Sequence, residues 1–146
     1  MTLRIKNRMV KYGRNPGQLK ILPGLSVFVK ATEAEAREDY EFTQSLIHPV
    51  VSREILGTTL GSTNIIVGGP NQIADHMQDW FEREACDGFN IMPPYIPGSL
   101  NDFCKLVIPE LQRRGLFRTE YEGKTLRENL GLRRPDSRYK AVQEGT

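Results

Sequence analysis

The sequence predicts an α/β domain whose parallel strands are joined by helices. Two apolar, β-branched runs, at residues 19–29 and 89–92, read as strands, and a shorter one at 64–67 reads as a third. Between and after them the apolar spacing is helical. The clearest case has Ile73, Met77, Trp80, Phe81 and Ala85 at i, i+4, i+7, i+8 and i+12. Helix-start signals stand where each strand should hand over to a helix: Thr32-Glu33-Ala34-Glu35, Gly69-Pro70 and Ser99-Leu100-Asn101-Asp102.

Taken in order, Leu3, Ile5, Met9, Val10 and Tyr12 lie among basic residues at roughly helical spacing, and Gly13 with Pro16 ends the pattern, which predicts a short amphipathic helix over 3–12. In the strand at 19–29, Pro23-Gly24 marks a break, because proline cannot donate to a ladder. Thr32 and Glu35 form a capping box, and Ala36, Tyr40, Thr43 and Ile47 fall on one face of the helix that it opens. Residues 50–64, with Gly57, Gly61, Ser62 and paired threonines, read as a loop. Asp87-Gly88 turns the chain into the strand at 89–92, which Pro93-Pro94 halts. The last long helix, over 99–114, should point Leu100, Phe103, Cys104, Val107, Ile108 and Leu111 inward, bend at Pro109 and stop at Gly115. Two or three strands are few for a free-standing parallel sheet, which normally has about four or more and is covered on both faces.

The 146 residues suffice for one compact domain of ordinary size. No apolar run is long enough to span a bilayer, and the basic N-terminus lacks the apolar stretch of a secretory signal, so a cytoplasmic location without membrane contact is expected. Cys86 and Cys104 could form at most one disulfide and are expected to be buried thiols. Twenty basic and 18 acidic side chains leave a charge of only +2, weak for a protein whose task is gripping nucleic acid. The base-rich stretch at 113–140 could bind phosphate or be a solvated tail; interleaved Glu120, Glu122, Glu128 and Asp136 favour the tail.

Chemistry-bearing motifs are sparse. His48, His76, Cys86 and Cys104 lack the close spacing of a zinc site, so no metal is expected. No nucleophile elbow, P-loop or dinucleotide fingerprint occurs, and Glu82, Glu84 and Asp87 lie near no second polar cluster, so no catalytic residue is assignable. Met92-Pro93-Pro94-Tyr95-Ile96-Pro97-Gly98 follows a strand and precedes a helix, where α/β folds place ligand-facing loops. This stiff, largely apolar loop reads equally as a pocket wall or as a connection that fixes helix orientation.

Four stretches, in order, resemble one family: Lys20-Ile21-Leu22-Pro23-Gly24-Leu25, Thr32-Glu33-Ala34-Glu35-Ala36, Gly69-Pro70-Asn71-Gln72-Ile73-Ala74-Asp75 and Asp87-Gly88-Phe89-Asn90-Ile91-Met92-Pro93-Pro94-Tyr95. They are similar to the C-terminal part of flavin-dependent monooxygenases of the nitrilotriacetate monooxygenase component A type, in the luciferase-like superfamily. The resemblance continues through Pro109-Glu110-Leu111-Gln112-Arg113-Arg114-Gly115-Leu116-Phe117-Arg118-Thr119-Glu120-Tyr121 and Thr125-Leu126-Arg127-Glu128-Asn129-Leu130-Gly131-Leu132, and covers about residues 4–132.

The resemblance implies a (β/α)8 TIM barrel that uses reduced FMN, delivered by a separate flavin reductase, to activate oxygen. A complete barrel takes about 250 residues, so this chain would hold only its last two βα units, over 1–132, with a flexible tail over 133–146. The resemblance also implies that most flavin contacts belong to earlier strands. A longer lid insertion in the family, between the positions of Leu56 and Ile65, would be cut here to residues 57–64. Phe89, Asn90, Met92, Pro93 and Tyr95 become candidates for the substrate-pocket wall. The expected function is that of an FMNH2-dependent monooxygenase segment, inactive alone. The alternative is a non-catalytic quarter-barrel that associates with itself, as a homo-oligomer, or completes a partial barrel.

Overall fold

The computed structural model describes residues 2–48 and 64–135. In chain order the elements are α1 (Thr2–Lys11), a 3-10 turn (Pro16–Gln18), β1 (Gly24–Val29), α2 (Glu33–Ser45), β2 (Asn64–Gly68), α3 (Pro70–Glu82), β3 (Asn90–Ile91), α4 (Gly98–Asp102), a π turn (Phe103–Val107), α5 (Ile108–Arg113) and α6 (Leu126–Asn129). The loop expected at 50–64 and the shortened lid lie almost wholly outside the described residues, as does the tail beyond 135. The described residues divide into two compact units, one made of residues 3–20 with 119–135 and the other of residue 2 with 21–48 and 64–118.

The larger unit is organised on β1. β2 pairs with it in parallel along one edge, from Leu25 opposite Asn64 to Val29 opposite Gly68, and β3 along the other, with Gly24 opposite Asn90 and Leu25 opposite Ile91. The short run at 64–67 is therefore a true strand. The first strand in sequence sits at the centre, whereas three consecutive strands of a closed barrel would lie in chain order. The crossover from β1 to β2 and the one from β2 to β3 run in opposite directions across the sheet. Right-handed connections then put α2 and α3 on opposite faces.

The side chains agree. Leu25, Val27 and Val29 point to the face where Ile73 and Ala74 of α3 pack with Phe103, Val107 and Leu111. Phe28 points the other way, its ring meeting that of Tyr40 in α2 edge-on at 5.1 Å, and Ala36 of α2 is fully buried. A strand covered on both faces needs no polar side, which is why Val27, Phe28 and Val29 run on without one.

Strand β1 begins at Gly24 and not at Leu19, because Pro23 has no N–H for a ladder. The chain ahead of it is held another way. Ile21 N–H donates to Asp87 Oδ2 at 2.9 Å, Asp87 N–H donates to the Ile21 carbonyl at 2.9 Å, and Asn90 N–H donates to the Pro23 carbonyl at 2.9 Å. The Thr32 capping box forms as expected, with the Thr32 hydroxyl accepting from Glu35 N–H and the Glu35 carboxylate from Thr32 N–H. At α3, Pro70 occupies the first turn while Gln72 Oε1 accepts from Gly69 N–H at 2.8 Å.

The helix expected over 99–114 is accommodated to Pro109 by widening. The Ile108 N–H reaches back five residues to the Phe103 carbonyl, making the π turn, and Pro109 falls in the first turn of α5, where a missing N–H costs nothing. Gly115, at φ +71°, takes the left-handed conformation that ends this helix.

Five apolar expectations are corrected by the structure. Phe81 is 52% exposed, and Ala85, Leu100 and Cys104 are also exposed, so Cys86 alone is a buried thiol. A three-stranded sheet covers only a narrow stripe of each helix. Ile73, Ala74 and Met77 lie on that stripe in α3, and Phe103, Val107 and Leu111 in the later helix. Cys104 lies about 100° round the helix from Phe103 and faces away, whereas Phe81 stands in the last turn of α3, Ala85 beyond its end and Leu100 in the first turn of α4. Ile47, past the end of α2, is likewise 40% exposed.

In the smaller unit, the Asn15 side chain accepts from Gly17 N–H at 2.8 Å to open the 3-10 turn. Thr125 and Glu128 form a second capping box at α6. Asn129 ties the turn before that helix, its Oδ1 accepting from Gly123 N–H at 3.0 Å and its Nδ2 donating to the Gly123 carbonyl at 3.1 Å. Arg133 N–H donates to Gln18 Oε1 at 3.0 Å.

Truncating Ile73, which is fully buried, to alanine should cost about 2 to 5 kcal/mol in urea unfolding, whereas Phe81→Ala should cost under about 1 kcal/mol. The reverse order would place the core on the wrong stripe of α3. His76 offers a pH readout in the same helix. Its Nε2 is buried without a hydrogen-bond partner, its ring lies 5.3 Å from Trp80, and burial pushes the imidazole below its ordinary value of 6.5 despite the opposing charge of Asp79. The unfolded chain therefore takes up this proton first. Stability should fall as pH drops below about 6.5, and His76→Phe should show a shallower loss between about pH 7 and pH 5.

Candidate functional site

β3 ends opposite Leu25, near the start of β1, and the loop that follows runs alongside β1 until Tyr95 reaches Lys30, just past the carboxyl end of that strand. The structure distributes the sequence-predicted wall residues over three settings near it. Phe89 packs against the main core, 6.2 Å from the Trp80 ring. Asn90 and Met92 alternate to the other face, both exposed, with the Met92 sulfur above Gly24, where a Cβ would come within 2.7 Å of it. The Met92 N–H donates to the Leu25 carbonyl at 2.9 Å, continuing the β1–β3 ladder past the last assigned residue. Pro93 is half-buried in the loop that follows. Tyr95, further along it, enters a polar cluster.

That cluster is the densest polar arrangement at this end of the sheet. Lys30 follows Val29, the last residue of β1, and its Nζ donates to Asp102 Oδ2 at 2.6 Å and to the Tyr95 hydroxyl at 3.2 Å, with Asp39 Oδ2 at 3.6 Å. The Tyr95 hydroxyl donates in turn to Asp39 Oδ2 at 2.7 Å. Four segments thus converge: the end of β1, α2, the loop after β3, and α4. The side chains of Lys30, Asp39 and Asp102 are 29%, 18% and 31% exposed, so the pairs are partly shielded from water.

The electrostatics define what the cluster can do. The Asp102 hydrogen bond, helped by Tyr95 and Asp39 and opposed by burial, raises Lys30 well above the ordinary lysine range, so it stays an ammonium at neutral pH. Burial, together with the bond to Asp39, pushes the Tyr95 phenol up as well, so it keeps its proton. Neither group is poised to exchange a proton near neutrality, and an ammonium is no nucleophile. The arrangement orients; it does not perform acid-base chemistry. Among the described residues no group of three or more His, Cys, Asp or Glu side chains could hold a metal ion.

Lys30, Asp39 and Asp102 escaped the sequence reading. Lys30 read as one base among many, and Asp102 as part of a helix cap. The partners lie 65 and 72 residues apart, and the available signal was positional: Lys30 directly follows a strand, and Asp39 sits three residues after the inward Ala36. Of the base-rich stretch, Arg113 and Arg114 are spent on structure. Arg113 pairs with Glu110 at 2.7 Å, while Arg114 bridges Glu110 at 2.7 Å and Asp75 of α3 at 2.6 Å. Arg113 first, then Arg114, hold the Glu110 carboxyl at about 2. No described helix is long and apolar enough to cross a membrane.

Comparison with known proteins gives the fold a context. No family model matches the sequence. Nitrilotriacetate monooxygenase component A of Aminobacter aminovorans is 39% identical over 183 residues, which take in 90% of this chain and 40% of the relative. N-acetyl-S-(2-succino)cysteine monooxygenase of Bacillus subtilis (strain 168) is 34% identical over 188 residues, 92% of this chain and 43% of the relative. Among solved structures, a long-chain alkane monooxygenase superposes with a TM-score of 0.77 at 33% identity, over 89% of this chain and 37% of that one. EDTA monooxygenase from Chelativorans sp. BNC1 gives 0.75 at 27%, over 90% and 43%. The chain thus spans roughly two fifths of the length of the curated relatives it matches. The aligned stretches of 183 and 188 residues exceed the 146 of this chain, so the relatives carry residues within them that have no counterpart here.

Replacing Lys30 by methionine leaves two carboxylates facing each other and should cost about 1 to 3 kcal/mol in thermal or urea unfolding at neutral pH. At high pH the sign is fixed by both raised groups, since the folded state keeps protons that the unfolded chain has released. Stability should therefore decline as pH rises above about 10, and Tyr95→Phe should flatten part of that decline. A curve level through this range would mean that the cluster does not form.

Proposed function

We propose, from the premise that this chain belongs to the luciferase-like monooxygenases as a homologue of their C-terminal part, that it supplies part of the fold of an FMNH2-dependent enzyme and is catalytically incomplete alone. The substrate is a small organic molecule into which one oxygen atom is inserted. The chemistry the flavin supplies when bound is two-electron activation of O2, one atom passing to the substrate and the other to water. A separate flavin reductase would deliver the reduced cofactor, a reading supported by the designation of one relative as a component A.

The observation that supports this reading is the match of about 90% of this chain to about two fifths of nitrilotriacetate monooxygenase component A and of a long-chain alkane monooxygenase structure. Among the described residues the outer edges of β2 and β3 are unpaired. Closure of a barrel would remove such edges. The residues present do not by themselves form a flavin cradle. Lys30, the cation at the carboxyl end of the sheet, is already held by Asp102, Asp39 and Tyr95 and offers no unpaired charge to a phosphate. In the completed fold, Asn90, Met92, Pro93 and Tyr95 would wall the substrate side, with Phe89 behind them, and would exclude water and orient the substrate.

A second reading is favoured by the same open edges: a non-catalytic module that associates with itself. Ile65 on β2 is 49% exposed and Met92 38% exposed, which adds apolar surface to the unpaired backbone.

Titrating the isolated chain into oxidised FMN and following flavin fluorescence should give no saturable binding in the low micromolar range. Saturation there, with substrate oxygenation once a flavin reductase and NADH are added, would show that the chain is complete by itself. Sedimentation velocity at micromolar concentration should show a homo-oligomer. A cooperatively folding monomer would rule out the self-association reading.

A further inference from the structure

We propose that Tyr95, with Lys30 and Asp39, is a positioning set that latches the loop from Met92 to Gly98 across the carboxyl end of the sheet, fixing the pocket wall that the monooxygenase reading places there. The inference rests on that reading for its functional meaning, but the latch itself is a property of this chain.

The loop has reason to need one. It leaves β3 after only two strand residues, and its apolar side chains face outward, with Ile96 74% exposed and Met92 38% exposed, so burial does little to hold it. Tyr95 supplies what burial does not. Its hydroxyl donates to Asp39 of α2 at 2.7 Å and accepts from Lys30 at 3.2 Å, which ties the loop to two elements of the sheet layer that the chain left behind more than fifty residues earlier.

Its main chain is held as well. Tyr95 N–H donates to Ser99 Oγ at 3.2 Å, and the Ser99 hydroxyl donates back to the Tyr95 carbonyl at 2.5 Å, from a serine only 3% exposed. The ring lies so close to Gly98 that a Cβ there would approach Tyr95 Cε2 within 2.7 Å, so glycine is what lets the aromatic ring lie flat against the start of α4. Asp102, one turn further along, takes the strongest hydrogen bond of Lys30 at 2.6 Å and joins the helix to the same anchor. With Tyr95 in place, the loop is fixed at both ends of its run along β1, by Met92 at Leu25 and by Tyr95 at Lys30. Without its hydroxyl, the loop loses its ties to α2 and Lys30 and keeps the Ser99 turn and the Met92 N–H bond to the Leu25 carbonyl.

Hydrogen exchange followed by mass spectrometry on the full chain tests this directly. Tyr95→Phe keeps the ring against Gly98 and removes only the hydroxyl. It should speed exchange of amides over 93–101 by about ten- to hundredfold, while amides over 25–29 and 73–77 keep their rates. Asp39→Asn, which retains an acceptor for the phenol, should show a smaller effect than Asp39→Ala. Equal acceleration in the loop and the core would make Tyr95 a general stability residue, and an unchanged loop would remove the latch. Either result would overturn this proposal and leave the monooxygenase reading standing, because neither FMN binding nor association enters the measurement. A failure to complement a partial barrel into a flavin-binding complex, with the loop rates behaving as stated, would count against that reading alone.

Discussion

The structure depends on one central strand. β1 is paired along one edge by β2 from Leu25 to Val29, at Gly24 and Leu25 by β3 on the other, and is covered on both faces, so the other elements of the larger unit are placed around it. Burying Leu25, Val27, Phe28 and Val29 requires helices above and below. The two crossovers meet that need by running to opposite sides of the strand. The outer strands do not share this closure. β2 and β3 each pair on one side among the described residues, and that asymmetry between a finished centre and open edges makes the chain look like part of something larger.

The polar cluster at the strand ends follows from the same layout. Lys30 can reach Asp39 because α2 lies on one face, and Tyr95 and Asp102 because the loop after β3 returns alongside β1. Its formal charges, one ammonium against two carboxylates, do not resemble a phosphate trap, and its raised lysine and phenol hold protons far above neutrality. Such a cluster orients the segments that meet in it and takes no part in proton transfer near neutrality.

Much of this was legible in the sequence. The Thr32 box, Pro70 after two glycines, and Gly115 each set a helix end by local hydrogen bonding or a backbone angle that depends on a few neighbouring residues. The α/β class was legible for the same reason, since alternation of local patterns encodes it. What escaped was non-local. The central place of β1 depends on which edge β3 takes, and no residue at 89–92 states that choice. The burial of Cys86 but not Cys104, and the exposure of Phe81, depend on how wide a stripe the sheet covers. The wall candidates came from a loop position and a resemblance. Phe89 packs on the core and Tyr95 enters the cluster from the loop beyond β3, whereas Lys30, Asp39 and Asp102 became visible only when segments more than fifty residues apart were brought together.

The claim that the chain is an incomplete part of a flavin-dependent fold is tested most directly by supplying the rest. The portion of nitrilotriacetate monooxygenase component A that this chain does not match, produced separately, would be mixed with the chain and titrated with FMN by fluorescence. The account predicts saturable flavin binding by the mixture and none by either part alone, with a co-migrating complex in sedimentation. A mixture whose parts sediment separately and bind no flavin, each remaining folded, would contradict it.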